Sequence, residues 1–373
     1  MKKKGKKYAD FRFTSEEIAG AVGDYGTLFP IILGVAVVTD VNFGHILLFF
    51  SIWYIFTGIY YKKPVPVEPM KAIGAIVIAG EFTQEVITAS GILLGIFFLL
   101  VGFLGGMKYL SDKIPQSLIR GVQLGLALIL LRTSYGFMTE SSFDVYIALI
   151  GIAIILTFFV LKKYRELPDI SSLLVIAIGI IAGFVLYGIP SIEVLSIPSI
   201  YTPTISNFFS GGWLLAIPQV PLTITNSILA TSLLMGDLFK RKTEPDKLSK
   251  TVGMMNITSP IFGGFPMCHG SGGLAAQYRY GARTGGSNII SGLILLVIAL
   301  FFAGAGFVEL LPLGIFGALL VFVALELGKH SFKTESYVVT GIVAVFSLIF
   351  NISVGFFIGI AAYLVMKKFY KLI

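Results

Sequence analysis

Charge and cysteine are both scarce in this 373-residue chain, and each scarcity excludes something. Charged residues make up 13% of it while hydrophobic ones reach 56%, and a soluble domain of this length needs far more polar surface. A single cysteine excludes an internal disulfide. Period-two alternation, the mark of a membrane β-barrel, is missing from runs such as GILLGIFFLLVGFLGG (91–106). The start, MKKKGKKYADFRFTSEE, is basic but has no apolar core or cleavage site behind it. It therefore reads as a retained cytoplasmic tail (1–14) and not as a signal peptide. Neither a resident metal nor a cofactor is expected.

What the chain does have is apolar runs of membrane length from end to end, the pattern of an all-α polytopic membrane protein. Fourteen segments are expected: 15–38, 43–61, 66–80, 84–107, 115–132, 143–161 and 169–188, then 208–236, 246–262, 269–283, 286–310, 312–328, 334–349 and 351–368. Segments 3 and 10 (66–80 and 269–283) fall short of the about 20 residues a helical span needs. Thr14 and Glu17 have capping-box spacing at the start of the first helix.

The net charge of +8 does not point to nucleic acid, because the basic residues sit in short loops and tails. With the N-terminus inside, the cytoplasmic loops collect Lys62, Lys63, Lys108, Lys113, Lys162, Lys163 and Arg165. Beyond them come Lys240 to Lys250, Arg279, Arg283, Lys329 and Lys333, and both termini are cytoplasmic. Only Arg132 faces outside, as the positive-inside rule requires. The expected location is the cell membrane.

A repeat also shows. Pro66 matches Pro266 and Pro115 matches Pro312, offsets of 200 and 197 residues. Two repeats of seven spans, 15–190 and 205–373, must insert with opposite orientation. Such 7+7 inverted repeats are typical of secondary transporters, whose substrate binds at the midplane between broken helices.

In KKPVPVEPMKAIGAIVIAG (62–80), Pro64, Pro66 and Pro69 forbid a regular helix before residue 70. An extended lead-in of about 20 Å reaches the bilayer middle, where a half-helix would start near Met70, Lys71 and Ala72. FGGFPMCHGSGGLAAQYRYGART (262–284) is its mirror image, with a half-helix starting near Gly270 and Ser271. Two helix N-termini, each worth about half a positive charge, then face one another, which suits an anion. Glycines at 270, 272 and 273 allow a ligand close to the backbone.

Lys71 lies too deep to snorkel and reads as a substrate ligand. Glu68 either pairs with Lys71 or carries a proton. His269 is expected in the site wall beside Cys268, whose competing role is plain packing. Asp24 and Thr27, in VGDYGTLFP (22–30), supply a buried acid and a site hydroxyl. Gln219, Thr223, Thr225 and Asn226 form a polar stripe that either lines a cavity or bonds neighbouring helices. Arg279 and Arg283 anchor a helix end.

PVEPMKAI, IPQVPLTITNS, MGDLF, VGMMN and FPMCHGSGGLAAQYRYGART together resemble the molybdate transporter family, a relative of the SulP sulfate permeases. The resemblance runs over most of residues 15–330. The family pattern is similar to PVQPMK, PQLPLT-x-x-NS and P-x-CHG-x-GGLAxQYRFGAR, so Glu68 stands where glutamine is usual. The resemblance implies a substrate-carrying core of spans 1–4 and 8–11 that moves against a gate of spans 5–7 and 12–14. A cytoplasmic STAS domain, found in many sulfate permeases, is not expected here. The expected activity is secondary transport of a tetrahedral oxyanion, molybdate first and sulfate as runner-up, with Glu68 or Asp24 as the seat of a coupling proton. An anion channel of the same fold is the alternative, and a homodimer is compatible with the reading. An enzyme built on Cys268 and His269 is not, because neighbours on an extended segment point to opposite faces.

Overall fold

The computed structural model describes residues 10–164, 170–189, 194–240, 243–302 and 305–369. The first nine tail residues, Arg165, Arg241, Lys242 and Lys371 lie outside the described residues. The chain is helical apart from a single two-stranded sheet among the described residues: β1 (Glu68–Pro69) pairs antiparallel with β2 (Met267–Cys268).

Among the described residues six helices are long and apolar enough to cross a membrane, or up to seven if the bent pair Ser271–Tyr280 and Gly285–Phe301 counts as one span. Leu104, Phe103 and Leu233 are 83%, 71% and 71% exposed on such helices, so the outer surface is apolar, as a lipid-facing wall must be. Between the long helices stand shorter apolar ones, Ser171–Tyr187, Leu313–Gly328 and Tyr337–Ile349.

Several expected boundaries differ. The first span is two helices, Ser15–Ala21 and Tyr25–Val38, with Val22–Asp24 as the joint. Thr14 holds the N-cap position without a side-chain capping bond, so the capping box does not form. The Glu17 carboxylate instead accepts the backbone amides of Arg283 and Thr284. The fifth span extends to Met138, so Arg132 sits on a helix and not in a loop. The ninth is Pro245–Thr258 followed by a short 3-10 turn, Pro260–Phe262, and the eleventh stops at Phe301 before a separate helix Ala305–Glu309.

The eighth is the longest, an unbroken 35-residue helix from Ile205 to Phe239. It absorbs Pro218 and Pro221 by widening into two π-helical stretches, Gly211–Ala216 and Thr223–Leu229. A proline within a helix removes one amide donor, and local widening lets the freed carbonyls find other partners. Thr225, for one, donates its hydroxyl to the carbonyl of Pro221.

The inverted repeat is visible in the register of the strands. Glu68 pairs with Cys268, and these two residues are 200 apart, the same offset as Pro66 and Pro266. The repeat's two-fold therefore passes through this pair. The same offset relates the N-caps Met70 and Gly270 and the first helical residues Lys71 and Ser271. Helix packing obeys the same exchange. Phe43–Tyr61 packs on Gly285–Phe301, and its repeat image, Pro245–Thr258, packs on Gln84–Leu104.

Candidate anion site

Each half-helix follows directly from its strand: Lys71–Ala79 after β1 and Ser271–Tyr280 after β2. Prolines and glycines keep both lead-ins extended, so their backbone groups need other partners. Two buried asparagines supply them. Asn256 takes the amide of Met267 on Oδ1 and donates Nδ2 to its carbonyl. Asn288 donates to the carbonyl of Val65 and to Thr57. Gln84 donates to the carbonyls of Pro260 and Gly264. The strand pairing itself is extended by the Met70 amide, which donates to Pro266. Irregular backbone at membrane depth is tolerable only when enclosed in this way.

Lys71 projects from the first turn of its half-helix and is ion-paired to Glu68, with Nζ 2.8 Å from Oε2. The glutamate is fully buried, while the lysine side chain keeps 20% of its surface exposed. The carboxylate leans on the start of the other half-helix, where a Cβ on Gly270 or Gly273 would collide with it. Only glycine admits that approach. Asp24, 1% exposed, accepts the hydroxyl of Tyr54 on Oδ2. Its Oδ1 and the Oε1 of Glu68 have no hydrogen-bond partner among the described residues.

Of the residues expected in the wall, Thr27, Lys71, Asn226 and Ser271 line a common cavity of about 100 Å³. Ser271 donates to Asn226 Oδ1 at 2.9 Å, and Thr27 donates to the carbonyl of Asp24. Two larger cavities, about 490 and 560 Å³, share Ser271 and His330 with it. They open it towards Arg120, Arg279 and Lys329. Residues Gln123, Phe322, Glu326 and His330 also line the 100 Å³ cavity and were not expected there. An isolated glutamine or glutamate in an otherwise apolar span was the only available signal.

The other expected residues stand behind the wall. Gln219 is not a free cavity group: its Oε1 accepts the amides of Ala72 and Ile73 at 2.9 and 3.3 Å, and its Nε2 donates to Thr223. It caps the first half-helix, taking amides that an anion would otherwise meet. His269 is fully buried and outside the cavity wall. Its Nδ1 lies 2.9 Å from the carbonyl of Pro66 and its Nε2 2.7 Å from Thr251 Oγ1. With both ring nitrogens engaged, it joins the two lead-ins. Its amide donates to Ser227 and its carbonyl accepts from Thr231. Met70, Ala72 and Cys268 are buried, as parts of the sheet and the first turn. Gly270 is the second N-cap. Arg283 donates to the carbonyls of Tyr278 and Ala282 and lies over the Tyr278 ring, which secures the end of the second half-helix.

The geometry is that of two half-helix N-termini with one lysine between them. The sequence matches the family described as "Molybdate transporter of MFS superfamily" over residues 16–130 and 211–327. This chain belongs to the molybdate transporter family. It is 32% identical to molybdate transporter 2 of Arabidopsis thaliana over 95% of this chain and 87% of that protein. Against molybdate transporter 1 of the same plant it is 33% identical, over 95% and 89%.

Among solved structures, this member of the family is similar to the transmembrane domain of a cyanobacterial bicarbonate transporter, BicA. The TM-score is 0.67 at 16% identity, over 93% of this chain and 97% of that one. It is also similar to the murine Slc26a9 anion transporter in the inward-facing state, with a TM-score of 0.74 at 14% identity, over 98% and 70%. Identity this low speaks for the fold alone, and the fold is the 7+7 inverted repeat.

Proposed function

We propose that this protein is a secondary active transporter of a tetrahedral oxyanion, molybdate first, bound between the two half-helix N-termini and moved by alternating access. The observation that carries this is the placement of Lys71 and Ser271. They are repeat-equivalent first residues of opposed half-helices, and they line one cavity. A lysine and two helix ends together offer roughly two positive charges, a match for a dianion. Curated relatives across nearly the whole chain are molybdate transporters, which favours molybdate over sulfate. The two anions share shape and charge, so sulfate is the second reading.

The heaviest helix packing supports a moving core and a gate. Phe43–Tyr61 packs on Gly285–Phe301 and Gln84–Leu104 on Pro245–Thr258, while Gln116–Met138 packs on Leu313–Gly328 and Tyr337–Ile349. The core is then spans 1–4 and 8–11 and the gate spans 5–7 and 12–14. Under the positive-inside reading the site opens to the cytoplasm, past Arg279, Lys329 and His330. Import is coupled to a proton held by the carboxylates beside Lys71.

Equilibrium binding to the purified protein tests the substrate. Molybdate should bind in competition with tungstate and more tightly than sulfate, and uracil should not compete. Tighter sulfate binding would replace molybdate as the substrate.

A further inference from the structure

Two carboxylates and one ammonium group are buried together at this site. Asp24 and Glu68 are 1% and 0% exposed, and Lys71 is bonded to only one of them. Tyr54 holds Asp24 Oδ2, which leaves Asp24 Oδ1 and Glu68 Oε1 as the two orphan oxygens. The two acids are neighbours. A single carbon atom placed on Gly273 would collide with Glu68 Oε1 and lie 3.2 Å from Asp24 Cβ. Fully ionised, the cluster would carry a net negative charge away from water, with two carboxylate oxygens facing no donor. Buried charges are neutralised or paired, and of two neighbouring buried carboxylates one is kept neutral by a proton.

We propose that Asp24 and Glu68 form a proton-sharing pair that is the coupling site of the transporter. The pair holds one proton in the anion-free protein and takes up a second when the oxyanion binds. This rests on the anion-transport reading and assigns the groups that carry its proton. In the anion-free state the shared proton and the Lys71–Glu68 ion pair leave the cluster neutral. When a dianion enters, the Lys71 ammonium turns from Glu68 Oε2 to an anion oxygen. Glu68 then lacks its cation, and a proton from hydronium or buffer acid forms an O–H bond on it. Lys71 keeps its own protons throughout. Release on the other side reverses both steps, so one proton travels with each dianion. The route is at hand, since Asp24 and Lys71 line the same cavity of about 490 Å³ that reaches Arg279 and His330.

Other charged or titratable groups face the pair from each neighbouring element. Tyr25, beside Asp24, has its hydroxyl on the carbonyl of Ser291, and Tyr54 is committed to Asp24. Cys268 lies opposite Glu68 in the strand pair. Across the cavity, Lys329 is paired with Glu326 near His330, and Arg279 and Tyr280 close the second half-helix.

Infrared spectroscopy of the purified, anion-free protein tests the resting proton. A protonated-carboxyl band is expected at neutral pH and should vanish in both Asp24→Asn and Glu68→Gln, because the acid left behind ionises against Lys71. A band that survives Glu68→Gln, or no band in the wild type, would overturn the pair. Tyr54→Phe keeps both acids and guards against a misfolded Asp24→Asn. Its band should persist at a shifted frequency, and an unshifted band would exclude Asp24 as the source. Calorimetric titration with molybdate in buffers of different ionisation enthalpy counts the second proton. About one should be taken up per anion in the wild type and none in the Asp24→Asn/Glu68→Gln double variant, which has no acid left to receive it. Molybdate binding with no uptake in the wild type would sink this inference and leave the transport reading standing. No molybdate binding at all would sink the transport reading, while the infrared arm would still decide the pair.

Discussion

At the scale of single residues, Lys71 and Gln219 divide the work at the first half-helix. Gln219 occupies the amides of Ala72 and Ile73, so the proposed function leaves the lysine as the main anion ligand on that side. Lys71→Met should weaken molybdate binding by on the order of 3 kcal/mol, about a hundredfold, since it removes a charged hydrogen bond in a confined site. Lys71→Arg should bind better than Lys71→Met and worse than wild type, because a planar fork replaces a compact ammonium. Titration calorimetry on the three proteins checks the order; equal affinities would remove Lys71 from the site. Ser271→Ala should cost only about 1 kcal/mol, the worth of one neutral hydrogen bond. Gln219→Leu leaves two buried amides without an acceptor and should lower thermal stability by about 1–3 kcal/mol. Gln219→Glu keeps the cap but adds a negative charge beside the anion, so it should lose binding while staying folded.

Lys71 was legible because three prolines fix how deep the chain must run before a helix can start. The capping role of Gln219 was not. Nothing in IPQVPLTITNS (217–227) says that a π-widened helix turns this glutamine onto the backbone of a segment 147 residues away. His269 was likewise misplaced. A histidine amid glycines looks like a ligand until both ring nitrogens are seen to be taken.

At the scale of elements, the two half-helices depend on close approach at one point. Gly273→Ala should push Glu68 away from its place beside Lys71. The expected outcome is molybdate binding with altered proton uptake in a protein whose helix content by circular dichroism is unchanged. A Cβ added to Gly272, on the same turn, would meet nothing within 4 Å, so Gly272→Ala is the matched control and should fold and keep its half-helix. The short connection after Leu313–Gly328 carries His330, which lies outside the membrane-spanning segments. Burial first, then the Lys329 and Arg120 charges, hold its pKa below the ordinary value of 6.5. Unfolded protein therefore binds a proton there before folded protein does, and stability falls as pH drops from about 6.5 towards the lower folded value. His330→Gln removes that loss. Its melting temperature should fall less than the wild type's between about pH 7.5 and 5.5, and identical falls would show that His330 titrates normally.

The half-helices could be read from the sequence because proline and glycine act locally on the backbone. The break at Val22–Asp24 and the failed capping box could not. The capping box fails because Glu17 reaches the amides of Arg283 and Thr284, a contact between the two repeats that no local pattern encodes.

At the scale of the whole molecule, the repeat was legible, since an odd number of spans per repeat forces inversion, and the loop lysines supply the expected cytoplasmic side. The register of Glu68 with Cys268 at the two-fold needed the folded chain. Orientation is open to direct test. In a Cys268→Ser background, single cysteines at 40 and 200 should react with an impermeant thiol reagent from outside, and those at 63 and 244 should not. Reaction at 63 from outside would reverse the topology.

The central claim is that Lys71 and the two half-helix ends carry molybdate across the bilayer. Accumulation of molybdate by the purified protein in sealed liposomes, under an imposed proton gradient, tests it most directly. The account predicts saturable uptake that rises with an acidic exterior, is inhibited by tungstate more than by sulfate, and is absent in Lys71→Met. Uptake that does not saturate, that sulfate blocks more strongly than tungstate, or that survives in Lys71→Met would contradict it.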